Sequence, residues 1–413
     1  MYQWCIAMLF LWPIKTPSLL FIYSWLFPVE ATPASCVPKS GTLLALATCL
    51  DTFTIPPGYY DEDSYHDAQP TEDELRAWTL AVTSLLSVDG NCSSSAVPPA
   101  LEDSYSIQKF TPSGSKSSYC VLLETSLDCD GYPRGWGHVI VPETRAQVSR
   151  SIHISAPHPK YDLGTVEQAT AIFEMTGAKS LLLAGRTRPA FQEPSTCITT
   201  ASKPYYRTDP AHNPTEPFFD AFVAIYEWQE QHGGCPSSSC AFIQMHGKGS
   251  KTCANDQVFL STGLKDNPWY TSPTDYPIKR LKKNLEEVFQ GWTISLPSDS
   301  KCTLTASGNV GGRFINQVPR SHVCSTPTTP DQVKGEFIHI EQAIESRRSN
   351  AYRQWGQAMK RTFETTCARG MALHTKTLLC VERDVAEDAR AWPWVDELTG
   401  GRLQRIIQGH LRS

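Results

Sequence analysis

The sequence predicts an α/β fold: a mainly parallel or mixed sheet with helices on both faces, preceded by an N-terminal α+β extension. Two observations predict it. From about residue 150, short apolar runs of strand length alternate with amphipathic runs of helix length, the pattern of βαβ units. Polar residues with useful chemistry stand where several of those apolar runs end, which is where open α/β sheets bind ligands.

Residues 1–31 read as a secretory signal peptide. Up to Pro28 they are nearly all apolar and aromatic with Lys15 the only charge, and Val29-Glu-Ala31 offers small residues for cleavage. If retained, the same stretch is long enough to anchor the chain in a membrane. Residues 32–149 read as an N-terminal α+β region packing on the core. Within it, residues 41–50 form a short helix-like run. Thr71-Glu-Asp-Glu74 opens an amphipathic helix with a capping box, whose apolar residues include Trp78, Val82 and Leu85. Residues 119–124 and 137–141 read as strands.

The α/β core is expected over 150–345. Its strands are read at 151–155, 179–184, 240–245, 258–261 and 336–340, and its helices at 166–175, 218–231 and 276–289. Gly177 stands where a left-handed residue would close the first helix. Residues 346–413 read as a C-terminal helical tail, with a long polar helix-like run over 344–366.

The net charge of −5 gives no reason to expect a nucleic-acid or anionic-membrane partner. The most basic stretch, Lys279-Arg280-Leu-Lys282-Lys283, reads as the solvated face of a helix. Fourteen scattered cysteines without a CxxC pair argue for disulfides in an oxidising compartment, hence secretion. Removing Cys5 with the leader leaves an odd number, and Cys235 and Cys240 are near enough to close a small loop. Asn91-Cys-Ser93 is an N-glycosylation sequon, which predicts a glycoprotein.

Three segments carry the chemistry: His158-Pro-Lys-Tyr-Asp162-Leu-Gly164-Thr165, Gln244-Met-His246-Gly247 and Phe337-Ile-His339-Ile-Glu341. An imidazole and a carboxylate close in sequence can hold one side of a Zn²⁺. A distant second His can complete the protein ligands, and a separate Glu can activate water. Prolines on each side of His158 stiffen its loop, and Thr165 can N-cap the next helix. The bland alternative makes His158 a loop residue and Asp162 an Asx-turn former. His339 lies on the same strand face as Glu341, so it can be an alternative ligand or orient the Glu. Arg186 and Arg188 follow a buried strand and can clamp a substrate carboxylate, or else pair with local acids. His212 lies in Asp209-Pro-Ala-His212-Asn213, a loop that can border the site or cap the next helix, and it is the best alternative ligand. Arg313 is a weaker carboxylate binder. Serine catalysis has no Gly-x-Ser-x-Gly elbow to support it.

His158-xxx-Asp162-x-Gly164-Thr165-x-Glu167 resembles the metal loop of phage-type poly-γ-glutamate hydrolases, which read His-Gly-Gly-x-Ile-Glu-x-Gly-Thr. Met245-His246-Gly247 with the 258–263 segment is similar to their Ile-His-Gly segment and the strand after it. Asn309-Val-Gly-Gly-Arg313 and Phe337-Ile-His-Ile-Glu341-Gln342 resemble their late Asn/Arg segment and Gln-Leu-Glu strand. The resemblance runs in order over about residues 150–345 and implies a zinc-carboxypeptidase or zinc-amidase fold. It implies zinc as cofactor, with His158, Asp162 and His246 as ligands and Glu341 as general base. It also implies a peptide-like or amide-containing substrate, including carboxylated ones. An Asp stands where that family has Glu, and prolines stand where it has glycines. The His-Pro-x-x-Asp-x-Gly-Thr and Asp209-Pro-Ala-His212-Asn213 segments also resemble uncharacterised secreted fungal proteins. The competing function class is a non-catalytic cell-surface or wall-binding protein on the same fold.

Overall fold

The computed structural model describes residues 32–383 except 128–130, 200–203 and 266–267. The expected leader and the end of the chain beyond 383 lie outside the described residues. Four helices come first: α1 (Pro33–Lys39), α2 (Leu43–Asp51), α3 (Glu62–Ala68) and α4 (Glu72–Leu86). The Thr71/Glu74 capping box forms as its spacing predicts. Strands β1 (Tyr105–Phe110), β2 (Tyr119–Glu124) and β3 (His138–Pro142) follow, then β4 (Arg150–Ala156), α5 (Thr165–Thr176), β5 (Ala178–Leu183), α6 (Pro217–Gln231) and β6 (Cys240–Gly247). The chain continues through β7 (Val258–Ser261), α7 (Pro277–Val288), β8 (Ile294–Ser295), α8 (Val310–Ile315), β9 (Phe337–Gln342), α9 (Tyr352–Thr362) and the hairpin β10 (Met371–His374) and β11 (Leu379–Glu382).

Nine strands form one sheet in the order β1-β2-β3-β5-β4-β6-β9-β7-β8. Strands β5, β4, β6 and β9 run parallel in its middle, and β1, β2 and β3 join antiparallel on one side. The class is the expected α/β one, with a mixed sheet. The N-terminal region is not a separate layer, because its three strands continue the sheet. The region after 345 is not simply a helical tail. Two 3₁₀ turns, Ile344–Arg347 and Ser349–Ala351, precede α9, and the β10–β11 hairpin follows it. Trp355, Ala358 and Met359 of α9 are buried in the same cluster as α5 and α7, so this helix belongs to the core.

Strand alternation divides the core in two. Ile152 and Ile154, Ala241, Ile243 and Met245, and Ile338 and Ile340 pack with α2, α5, α7 and α9. Phe242 and Phe337 face the other way, onto α4 and α6. Helices therefore cover both faces. Gly177 closes α5 in the left-handed conformation, as predicted.

Six disulfides tie the described chain: Cys36–Cys49, Cys92–Cys120, Cys197–Cys324, Cys235–Cys240, Cys253–Cys302 and Cys367–Cys380. The expected Cys235–Cys240 loop is among them. Cys129 lies outside the described residues. Among the described residues no helix is long and apolar enough to cross a membrane.

Candidate metal centre

Strand register builds the site row by row. Where β6 pairs with β9, Phe242 stands opposite Phe337, Gln244 opposite His339 and His246 opposite Glu341. All six share the α6 face, so the row nearest the carboxyl ends carries an imidazole beside a carboxylate. The loop after the neighbouring strand β4 supplies His158 and Asp162. The loop before α6 supplies Asp209 and His212.

His158, Asp162 and His246 converge. His158 Nδ1 lies 3.0 Å from Asp162 Oδ2, His246 Nδ1 lies 3.1 Å from His158 Nδ1, and His246 Nδ1 lies 3.4 Å from Asp162 Oδ2. A tetrahedral zinc with bonds of 2.0–2.2 Å would hold such atoms about 3.3–3.6 Å apart. The outer ring nitrogens are oriented by acceptors. His158 Nε2 donates to Asp209 Oδ1 at 3.0 Å, and His246 Nε2 donates to Gln244 Oε1 at 3.2 Å. Gln244 is fixed in turn by Asn309 Nδ2 at 2.8 Å, and Asn309 also N-caps α8. With both Nε2 atoms as donors, each Nδ1 turns a lone pair inward toward a carboxylate oxygen. Three acceptors facing one another repel unless positive charge stands among them. One proton can bridge only some of these contacts, whereas a metal ion satisfies all three. The donor set therefore fits zinc.

With no ion among them, the same charges favour a proton on His158. Burial opposes a charged His158, but Asp209 and Asp162 outweigh it and hold the imidazole up to about 9. Burial would raise the Asp162 carboxyl, yet the two histidines hold it below the usual range. For His246 burial dominates and pushes it down to about 4. Burial and then the Asp162 charge push Glu341 up to about 8. The cluster is nearly closed, with His158, Asp162 and His246 only 2–4% exposed. More open are the side chains of Glu341, at 13%, and His212, at 14%.

His339 Nε2 lies 3.7 Å from Glu341 Oε1, and its ring is 4.3 Å from that of His246. The sets His158/Asp209/His212 and His246/His339/Glu341 also have the spacing of metal ligands. Arg188 Nη2 pairs with Asp209 Oδ2 at 2.6 Å, and its guanidinium stands over Tyr161 and Tyr205. The His212 ring stacks on Tyr205 at 3.5 Å and donates from Nδ1 to Asp209.

Two expected substrate binders are otherwise engaged. Arg186 is buried against Glu216, Nε to Oε2 2.7 Å, and Tyr65 donates to the same carboxylate at 3.1 Å, so this pair joins α3 to the core. Arg313 donates to the carbonyls of Ser307, Val323 and Cys324, fastening its own loop. Thr165 is not the N-cap of α5. That position is the left-handed Gly164, and the Thr165 hydroxyl donates to the Asp162 carbonyl at 2.8 Å, closing the loop after β4.

Sequence reasoning missed Asp209 and Gln244 as the acceptors that orient the two imidazoles. Both carried a readable signal. Gln244 shares a strand face with His246, and Asp209 opens the polar loop that holds His212.

No family model matches the chain, and no curated protein is found similar to it. Solved structures similar to it include a bacteriophage poly-γ-glutamate hydrolase at 16% identity, covering 52% of this chain and 85% of that one, with a TM-score of 0.29. A candidate carboxypeptidase A from Shewanella denitrificans OS-217 is 10% identical over 62% of this chain and 76% of its own, with a TM-score of 0.31. A candidate metallopeptidase from Shewanella denitrificans OS217 is 12% identical over 70% and 88%, with a TM-score of 0.26. The first is of the kind whose motifs the sequence resembles.

Proposed function

We propose that this chain is a secreted zinc-dependent hydrolase of amide or peptide-like bonds. The observation that carries the reading is the inward convergence of three lone-pair donors, His158 Nδ1, His246 Nδ1 and Asp162 Oδ2, within 3.0–3.4 Å of one another. Zinc, when bound there, would polarise the scissile carbonyl and make water nucleophilic near neutral pH. Glu341 takes the proton from the attacking water and returns it to the leaving amine. His339, beside it, orients the carboxylate. Arg188 keeps guanidinium N–H groups for a substrate carbonyl or carboxylate while Asp209 fixes its position. His212 borders the same opening. The six disulfides support an oxidising destination.

Metal analysis of protein from a secretory host tests this directly. About one zinc per chain is expected, and His158→Ala or His246→Ala should lose it. Protein that never holds stoichiometric transition metal would sink the proposal. The near closure of the cluster favours a second reading, a non-catalytic cell-surface or wall-binding protein. That reading takes over if zinc is bound but amide and peptide substrates stay intact.

A further inference from the structure

The turn after β9 touches both segments that supply the inward-facing donors. Gln342, the last residue of β9, is fully buried. Its Nε2 reaches the His246 carbonyl at 3.5 Å, and it forms a reciprocal amide pair with Gln168 of α5, both bonds 2.9 Å. Ser346 Oγ donates to Gln342 Oε1 at 2.7 Å, so the turn is fastened to the strand it leaves. Arg347 then runs back under the metal loop. Its Nη1 donates to the carbonyl of Leu163, the residue after Asp162, at 2.5 Å. Its guanidinium lies against Gly247, the residue after His246, so closely that a Cβ there would fall inside it. Gly164, with φ +84°, passes Arg347 on the other side, and a Cβ there would stand 2.9 Å from the Arg347 carbonyl oxygen. Gly247 thus opens the space that the guanidinium fills, and Gly164 opens the space for the Arg347 backbone.

The geometry points to Arg347 as a positioning residue. It wedges the loop carrying His158 and Asp162 against the strand end carrying His246, and so sets the spacing of the three metal-binding atoms. This rests on the proposed metal role of those three residues. The need for such a wedge is physical. The donors come from two separate elements and repel one another when they all present lone pairs. Their approach therefore has to be imposed by packing around them. The charge also suits the place, since the carboxylates of Asp162 and Glu341 attract the guanidinium. Arg347 Nε is buried with no partner among the described residues, so losing the guanidinium sacrifices little bonding elsewhere. The wedge should accordingly govern metal affinity more than the stability of the fold.

The test uses the whole secreted chain. Zinc is titrated against a chelator of known affinity, and thermal unfolding of the apoprotein is followed in parallel. Arg347→Met is expected to weaken zinc binding roughly 10–100-fold, the range for losing outer support of a metal ligand, with the apoprotein melting as wild type does. Gly247→Ala, which pushes the guanidinium aside, should give a similar loss, and the double variant should lose little more. Arg347→Lys should recover part of the affinity by keeping a donor for the Leu163 carbonyl. Wild-type affinity in Arg347→Met overturns the inference. So does a loss of zinc that only follows a lower apoprotein melting temperature, because that marks an ordinary packing residue. Wild-type protein that takes up no zinc overturns the metal reading and this inference together.

Discussion

The two faces of the central sheet are built from the same strands and do opposite things. On one, Ile152, Ile154, Ile243, Met245, Ile338 and Ile340 pack against α2, α5, α7 and α9 as an apolar layer. On the other, the β6–β9 rows change from Phe242/Phe337 to Gln244/His339 to His246/Glu341 along the strands. The difference teaches where a buried polar group is tolerated. On the α6 face, several buried polar side chains have partners. His153 meets Ser180 at 2.7 Å and Gln229 at 3.0 Å, and Gln244 meets His246 and Asn309. The apolar face supplies stability without needing such precision. The polar face gives up some of that stability for a centre whose side chains hold one another in place.

The largest effect that could break this contrast is at Glu341. Glu341→Gln keeps the shape of the last polar row but cannot accept a proton. It should fold and bind zinc as wild type does, and lose at least about 10²-fold in amide hydrolysis. Full activity in Glu341→Gln together with loss in His339→Ala would move the catalytic role two residues along the strand.

Asp209→Asn should have a smaller effect. Asp209 Oδ1 accepts from His158, His212 and the Ala211 N–H, and Oδ2 stands in an ion pair with Arg188. The substitution removes the charge that orients His158 and balances Arg188. Zinc affinity should fall about 10–100-fold by chelator competition. Unchanged affinity would mean that His158 is held by its stiff loop alone.

Much of this contrast was legible in the sequence because it is local or periodic. Alternation marked the strands, Thr71 and Glu74 marked a helix start, and the polar ends of apolar runs marked the centre. What was not legible depends on partners far along the chain. Nothing near Arg186 announces Glu216, which buries that guanidinium 30 residues away. The membership of β1–β3 in the sheet rests on pairing β3 with β5 across the intervening β4 and α5. The run over 344–366 reads as one helix by composition. The chain instead makes two 3₁₀ turns first, and the earlier of these carries Arg347 back to the loop after β4.

The smallest effect sharpens the contrast from the apolar side. His138 opens β3 and shares a strand face with Ile140, which packs in the apolar cluster. Both its ring nitrogens are buried without a partner among the described residues, and its ring tilts against Tyr132 at 4.9 Å. Burial alone pushes it down to about 3, and burial is also the main cause that brings the partnered His153 to about 3. Both stay neutral in the folded chain while the unfolded chain takes up protons near 6.5. The unfolded state therefore binds more protons between about pH 6.5 and 3, and stability is lost as pH falls through that window. Each group contributes at most about 1.4 kcal/mol per pH unit. His138→Phe keeps a ring against Tyr132 and removes two unpaired nitrogens. It should leave stability at pH 7.5 unchanged or raise it by about 1 kcal/mol, and it should flatten the acid limb of a urea-unfolding series. A His153→Phe variant flattens the same limb but strands Ser180 and Gln229, so it should be less stable than wild type at pH 7.5 by about 1–3 kcal/mol. If His138→Phe proved the more damaging of the two, the rule that separates the faces would fail.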